Sequence, residues 1–291
     1  MKFLMLILLV ALTACQEHKF KESKTFAGGQ VIDAETLNLG HSTYLEYCVQ
    51  CHGKEGDGAG VSHKGMLPPP RNFKQGLYKF ANVPYGELPH DEDFYRIIRK
   101  GLVGSGMLPW DMSDRRLMAV TQYIKTFAPE AWEGADKVLG TKIEATADPY
   151  GTEKRAEAVA RGEKVYHVVA QCTTCHRGYA SKADISAWNK EINGTAIASF
   201  DDNLFQLKPQ DSEYNYKVIP PDFTMHDLRS VYSTDDIYQR LVYGVTGSGM
   251  PGWKDVVSDD DLWALTYYVE SLIELRKDAG ARDAFIKRAE Q

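Results

Sequence analysis

The sequence predicts an all-α chain made of two tandem copies of one helical module. A pentapeptide Cys-x-x-Cys-His occurs twice, at residues 48–52 and 172–176. A second run also occurs twice, at residues 104–110 and 247–253, and both copies contain Gly-Ser-Gly-Met followed three residues later by Trp. Each run is followed by a stretch whose apolar residues are spaced three and four apart, the period of a helix with one buried face. A length of 291 residues leaves room for two units of roughly 100–150 residues.

The elements follow in chain order. Lys2 precedes ten apolar residues, 3–12, a signal-peptide core too short to span a bilayer, so residues 1–14 are expected to be a leader. Leu12-Thr13-Ala14-Cys15 resembles the lipobox of bacterial lipoproteins, which makes Cys15 the expected lipidation site and residues 15–34 a tether to a membrane. No later run reaches the ~20 apolar residues of a membrane helix. The first module is expected at 35–130 and the second at 155–276, with a Gly- and Pro-containing connector at 131–154 and a tail at 277–291.

Within the modules, Gly40-x3-Tyr44 precedes the first pentapeptide, and Gly162-x3-Tyr166 precedes the second with two extra residues. Pro69-Pro70-Arg71-Asn72-Phe73 is echoed by Pro220-Pro221-Asp222-Phe223. Short helices are expected at residues 91–101 and 234–244, apolar at Phe94, Ile97 and Ile98 and at Ile237, Leu241 and Val242. Ser233 stands as the N-cap of the second, and Gly101 and Gly244 close the two. In both modules the methionine, Met107 or Met250, falls six residues after the closing glycine. The last helices open at Ser113 and Ser258. They bury Leu117, Val120, Ile124 and Phe127 in one module and Leu262, Leu265, Val269 and Leu272 in the other.

The chemistry lies in the pentapeptides. Two thiols one helical turn apart can each form a thioether to a haem vinyl group, and the following histidine is placed to bind the iron. That assigns Cys48 and Cys51 to one haem c and Cys172 and Cys175 to another. With Cys15 lipidated, none of the five cysteines is left for a disulfide. A redox dithiol or half a zinc site is the alternative for a lone Cys-x-x-Cys.

Motif, glycine-flanked methionine and closing helix together resemble the class I cytochrome c domain, over about residues 35–130 and 155–276. The resemblance implies axial ligation by His52 and Met107 in the first module and by His176 and Met250 in the second. Rival ligands are Met66, Met112 and Met225, without the glycine setting, and His41, His63, His90, His167 and His226. Trp110 and Trp253 are expected near the haem edges.

The net charge of −6 gives no reason to expect nucleic acid. Residues 15–140 carry 15 Lys/Arg against 16 Asp/Glu and residues 141–291 carry 18 against 24, so the acidity lies in the second half, where it could steer a basic partner. From His52 to Pro69 is 17 residues, but from His176 to Pro220 is 44. The extra stretch, residues 184–217, holds Trp188, Phe200, Phe205, Tyr214 and Tyr216, too aromatic for disorder. It is expected to pack over the second haem or between the modules, with a partner-docking loop as the alternative. The expected function is electron carriage between periplasmic or membrane redox proteins by a lipid-anchored two-haem protein that is not an enzyme. A di-haem cytochrome c peroxidase is the rival reading, and a haem-based sensor a third.

Overall fold

The computed structural model describes residues 19–291. The expected leader at 1–14 and Cys15 lie outside the described residues. From Lys24 the chain is folded rather than a tether. Strands β1 (Lys24–Phe26) and β2 (Gln30–Ile32) pair antiparallel, with Phe26 opposite Gln30. The cause is apolar: Phe26 and Ala27 are fully buried in the first core, and Phe26 also bridges to Glu133.

Asp33 caps helix α1 (Ala34–Tyr47) by accepting from Thr36 N–H. After Cys48 comes the single turn α2 (Val49–His52), and a long irregular stretch then leads to α3 (Asp91–Lys100). Asp93 in the first turn of α3 accepts from the His90 N–H at 3.1 Å. Ser113 caps α4 (Asp114–Lys125), as its position implied, and α5 (Pro129–Trp132) follows. Helices α1 and α4 cross at Gly40, where a Cβ would overlap the carbonyl of Ala119, so only glycine permits this approach.

The second half repeats the plan. Helix α6 (Arg155–Lys164) runs into a π-helical turn at Val165–Val169, and Ala170 N–H donates to Val165 O at 2.8 Å. This wider turn, with Gln171 at φ +48°, absorbs the two extra residues before Cys172. Helix α7 (Lys182–Asn193) has no counterpart in the first half. Helices α8 (Thr234–Tyr243) and α9 (Asp259–Glu274) start at Ser233 and Ser258, whose hydroxyls accept from the N–H groups of Asp236 and Asp261. Helix α6 crosses α9 at Gly162 against Ala264, as α1 crosses α4. Helix α10 (Ala279–Ala289), capped by Asp278, occupies the expected tail.

Two cores result, one in each half. The first is centred on Leu37, Tyr44, Tyr123 and Trp132, the second on Tyr166, Leu262, Leu265 and Tyr268. The connector and the tail belong to these bodies. Trp132 is fully buried and donates to the Tyr78 hydroxyl, and Ile143 exchanges backbone hydrogen bonds with the Tyr243 hydroxyl. Phe285 and Ile286 of α10 pack on the second core. The 184–217 insertion divides its work. Its first part encloses a small cluster of Val168, Ala180, Ile185 and Leu204, while Tyr214 enters the seam between the halves. No described helix is long and apolar enough to cross a membrane.

Candidate functional site

In each half the two cysteines stand one turn apart at the end of the first helix. Cys51 and His52 N–H both donate to Cys48 O, at 3.2 and 2.9 Å, and Cys175 and His176 to Cys172 O, at 3.2 and 2.8 Å. None of the four forms a disulfide. Burial pushes the Cys48 and Cys172 thiols up to about 12, the reverse of the lowered value of a redox-active dithiol. Among the described residues no group of three or more His, Cys, Asp or Glu could hold a metal ion.

The histidines are set alike. His52 stacks on Phe73 with ring centroids 4.5 Å apart, and His176 on Phe223 at 5.0 Å. His52 Nδ1 lies 3.0 Å from Arg71 O; a carbonyl only accepts, so Nδ1 carries the proton and Nε2 keeps its lone pair for a ligand. His176 Nδ1 is buried with no partner of normal geometry, although the Pro221 carbonyl lies close enough to favour its protonation slightly. Burial lowers both histidines, His176 to about 4, which leaves neutral imidazoles. A tyrosine hydroxyl braces each turn, Tyr44 donating to Gly53 O at 2.7 Å and Tyr166 to Arg177 O at 2.9 Å.

The methionine segments match bond for bond. Leu102 N–H donates to Met107 O at 2.8 Å, and Val245 N–H to Met250 O at 3.0 Å. Ser105 Oγ donates to Leu102 O and accepts from Met107 N–H; Ser248 Oγ does the same with Val245 and Met250. Trp110 N–H donates to Ile98 O and Trp253 N–H to Leu241 O. This folding-back requires Gly101 and Gly244. Both have φ near +70°, and a Cβ on either would strike the loop backbone.

In the second half the sequence-predicted residues converge on one cavity of about 1000 Å³. Its walls carry Cys172, Cys175, His176 and Met250, with Phe223, Leu265 and Trp253 among its apolar lining. That volume is at the upper end of the ~300–1,000 Å³ usual for organic cofactors. Two thiols, an imidazole and a thioether around a mainly apolar space suit haem, and the residues fit the group. In the first half Cys48, Met107 and Trp110 lie partly buried on the core that contains Phe73.

Most of the rival ligands are placed otherwise, but His226 lies on the wall of the second cavity, its Nδ1 accepting from Asp222 N–H at 3.1 Å. His167 is 4% exposed with both ring nitrogens engaged, Nδ1 on Glu163 O at 2.8 Å and Nε2 accepting from Tyr179 N–H at 3.0 Å. His63 bonds Gly60 O and His90 bonds Gly140 O. Met112 is core, and Met225 is exposed although it borders the second cavity. Met66 lies beside Gly106 of the first methionine loop. The stacking role of Phe73 and Phe223 was hidden in sequence, and only the repeated Pro-Pro spacing before them hinted at it.

A family model described as "Cytochrome C oxidase, cbb3-type, subunit III" matches residues 35–124 and 157–269. A chain of the Kuenenia stuttgartiensis reducing HAO-like protein complex Kustc0457/Kustc0458 is similar at 31% identity with a TM-score of 0.64; the match covers 81% of this chain and 96% of that one. No curated protein matches the chain.

Proposed function

We propose, since the chain belongs to the cytochrome c family represented by subunit III of cbb3-type cytochrome c oxidase, that it carries electrons through two covalently bound haems. Haem c and electron transfer come with the family; the number of haems and their ligands are our reading. In that reading Cys48 and Cys51 hold one haem, with His52 and Met107 on its iron. Cys172 and Cys175 hold the other, with His176 and Met250. Bound haem supplies one-electron chemistry at iron, and a thioether opposite imidazole raises its potential relative to two imidazoles. The chain's own residues do the rest. Phe73 and Phe223 fix the imidazole planes, Arg71 O fixes the His52 tautomer, and the serine-braced loops hold each methionine without strain.

The observation that carries the reading is the bond-for-bond identity of the two methionine loops. A peroxidase needs one iron with a free or replaceable position, and two equally braced loops leave neither half marked for that role. A spectroelectrochemical titration of the haem-loaded protein tests it. Two haems per chain, both with the iron–methionine charge-transfer band and both inert to peroxide, are expected. One haem that lacks the band and binds peroxide after half-reduction would replace the carrier by the peroxidase.

The resemblance to a chain of a redox complex favours a second reading of the same chemistry, a fixed subunit of a larger assembly; co-purification of stoichiometric partners would establish it. For location we propose the bacterial periplasm with Cys15 as the lipid anchor. Cys15→Ser should move the protein from the membrane to the soluble fraction, and an unchanged membrane fraction would remove the anchor.

A further inference from the structure

The second cavity is open toward the first half, whose Lys79, Phe80 and Gly104 complete its wall. Lys79 meets Arg229 and Arg240 there, all three on the lining. Arg71 stands behind them, its guanidinium 3.7 Å from the ring centre of Tyr214. Arg240 is only 6% exposed. Its Nη2 donates to Ala81 O and Asn82 Oδ1 of the first half, but Nε and Nη1 have no partner. Arg229 Nε is also buried and unpartnered.

The nearby carboxylates are engaged elsewhere. Asp211 pairs with Lys217 at 2.7 Å and Asp227 with Arg276 at 2.8 Å, while Asp93 and Asp236 turn to Arg96. Among the described residues none of Arg71, Lys79, Arg229 and Arg240 forms an ion pair. Partly buried cations at close range repel one another, and a buried unpartnered cation costs several kcal/mol by order of magnitude. Lys79 shows the strain: burial, then Arg71 and Arg229, lower it to about 8.

The repeat sharpens the point. Lys79 follows Phe73 by six residues and Arg229 follows Phe223 by six, so the two halves present equivalent cations to one another. Arg240, four residues before Gly244, stands where the first half has Ile97, four before Gly101, and so is peculiar to the second. Haem bears two carboxylates on the edge remote from its vinyl groups. A haem joined to Cys172 and Cys175 must direct that edge to another wall of the same cavity.

We infer that the seam is a carboxylate site, in which Lys79 of the first half and Arg229 and Arg240 of the second receive the carboxylates of the second haem, so that loading this haem and closing the halves on each other are coupled. The inference rests on the two-haem reading above. The facing cations oppose the closure that the Arg96–Asp236 pair and the Arg240–Ala81 bond maintain, and the carboxylates of the haem remove that opposition.

The test uses the full, haem-loaded chain with Lys79→Met, Lys79→Arg and Arg240→Gln, and with exposed Lys21→Met, far in sequence from either Cys-x-x-Cys-His, as control. Removing a cation near the iron favours its oxidised form. In Lys79→Met one of the two midpoint potentials should fall while the other stays, and backbone exchange at Gly86, whose N–H donates to Thr246 Oγ1 across the seam, should quicken. Lys79→Arg should restore both and Lys21→Met should leave both unmoved. Lys79 is only partly buried, so its variants carry the test if Arg240→Gln does not fold. Two haems per chain by mass, with potentials and exchange indifferent to the Lys79 and Arg240 changes, would overturn the inference alone. Fewer than two haems in the unaltered chain would overturn the two-haem reading, and this inference with it.

Discussion

The two halves build their methionine loops with the same hydrogen bonds, yet they reach their Cys-x-x-Cys-His turns by different routes. In the first, α1 ends directly at Cys48. In the second, a π-helical turn and Gln171 in a left-handed conformation intervene, and α7 with its small cluster covers the flank. The tail helix then closes on the same turn, since Arg177, next to His176, pairs with both Asp222 and Glu290. What is held constant is the geometry around the ligands: the stacked imidazole, the tyrosine brace, the glycine crossing. What varies is how each turn is reached and covered. If each half carries the haem proposed above, like ligands in unlike surroundings would let one chain set two different potentials.

The sharpest way to break the comparison is to empty one half at a time. Cys48→Ala with Cys51→Ala, or Cys172→Ala with Cys175→Ala, should each remove one haem from the intact mass. If the seam couples the halves, only the second pair should also loosen the first half, read by hydrogen exchange around residues 78–86. Next in size, Met107→His and Met250→His should each lower one potential by a sizeable part of the ~0.8 V range that axial ligands span. Equal drops would mean that the loops are equivalent. An unchanged potential in either would remove that methionine from the iron.

Gly40→Ala and Gly162→Ala test whether the helix crossings are equivalent. Each forces a Cβ into a facing backbone, and each should cost about 3 kcal/mol in chemical denaturation. A mild effect in one half alone would show that its crossing can open.

The smallest effects are acid–base effects peculiar to the second half. His167 occupies the position of exposed Leu45 in the first, and burial lowers it to about 4. A histidine depressed in the folded state contributes fully above its ordinary value near 6.5 and loses that contribution as the pH falls toward 4. His167→Gln should therefore flatten the acid limb of second-half unfolding by about 2 kcal/mol. Glu163 has the opposite sign, raised to about 7 by burial and then by Asp184. Its contribution is present below its ordinary value of 4.5 and lost as the pH rises through 7. Being part-exposed, Glu163→Gln should gain only about 1 kcal/mol at pH 8 and nothing at pH 4. A pH profile unaltered by both changes would mean that neither group titrates differently on unfolding.

The fold and the two matching methionine segments were legible because they rest on local signals repeated twice: the serine caps, the helical spacing and the Gly-Ser-Gly-Met run. Several elements escaped: the strand pair and α5 because tertiary contact makes them, and α7 and α10 although each opens on a cap, Ser181 or Asp278. The three-residue strands around Ala27–Gly29 exist only because Phe26 has a core to enter. Trp132, a lone large aromatic in a supposed connector, was the available clue to α5. Helix α10 carried a readable cap at Asp278 and apolar residues at Phe285, Ile286 and Ala289. The cation seam was invisible because Ala81 and Arg240, joined by a hydrogen bond, are 159 residues apart in the chain.

The glycine crossings bear on the order in which this chain is made. Each joins the first helix of a half to its last, Gly40 to Ala119 and Gly162 to Ala264, so each half is a closed loop in sequence. Chain growth runs from the N-terminus, and domains generally fold as they emerge. A nascent chain that has passed Trp132 and Leu139 owns every residue of the first core, whereas the second half waits for α9 and α10 at the very end. Premature termination is therefore asymmetric in its damage. A stop codon anywhere from about residue 145 to 258 yields a finished first half and no second half, and even the loss of the last thirteen residues would spare one centre entirely while unclamping the other.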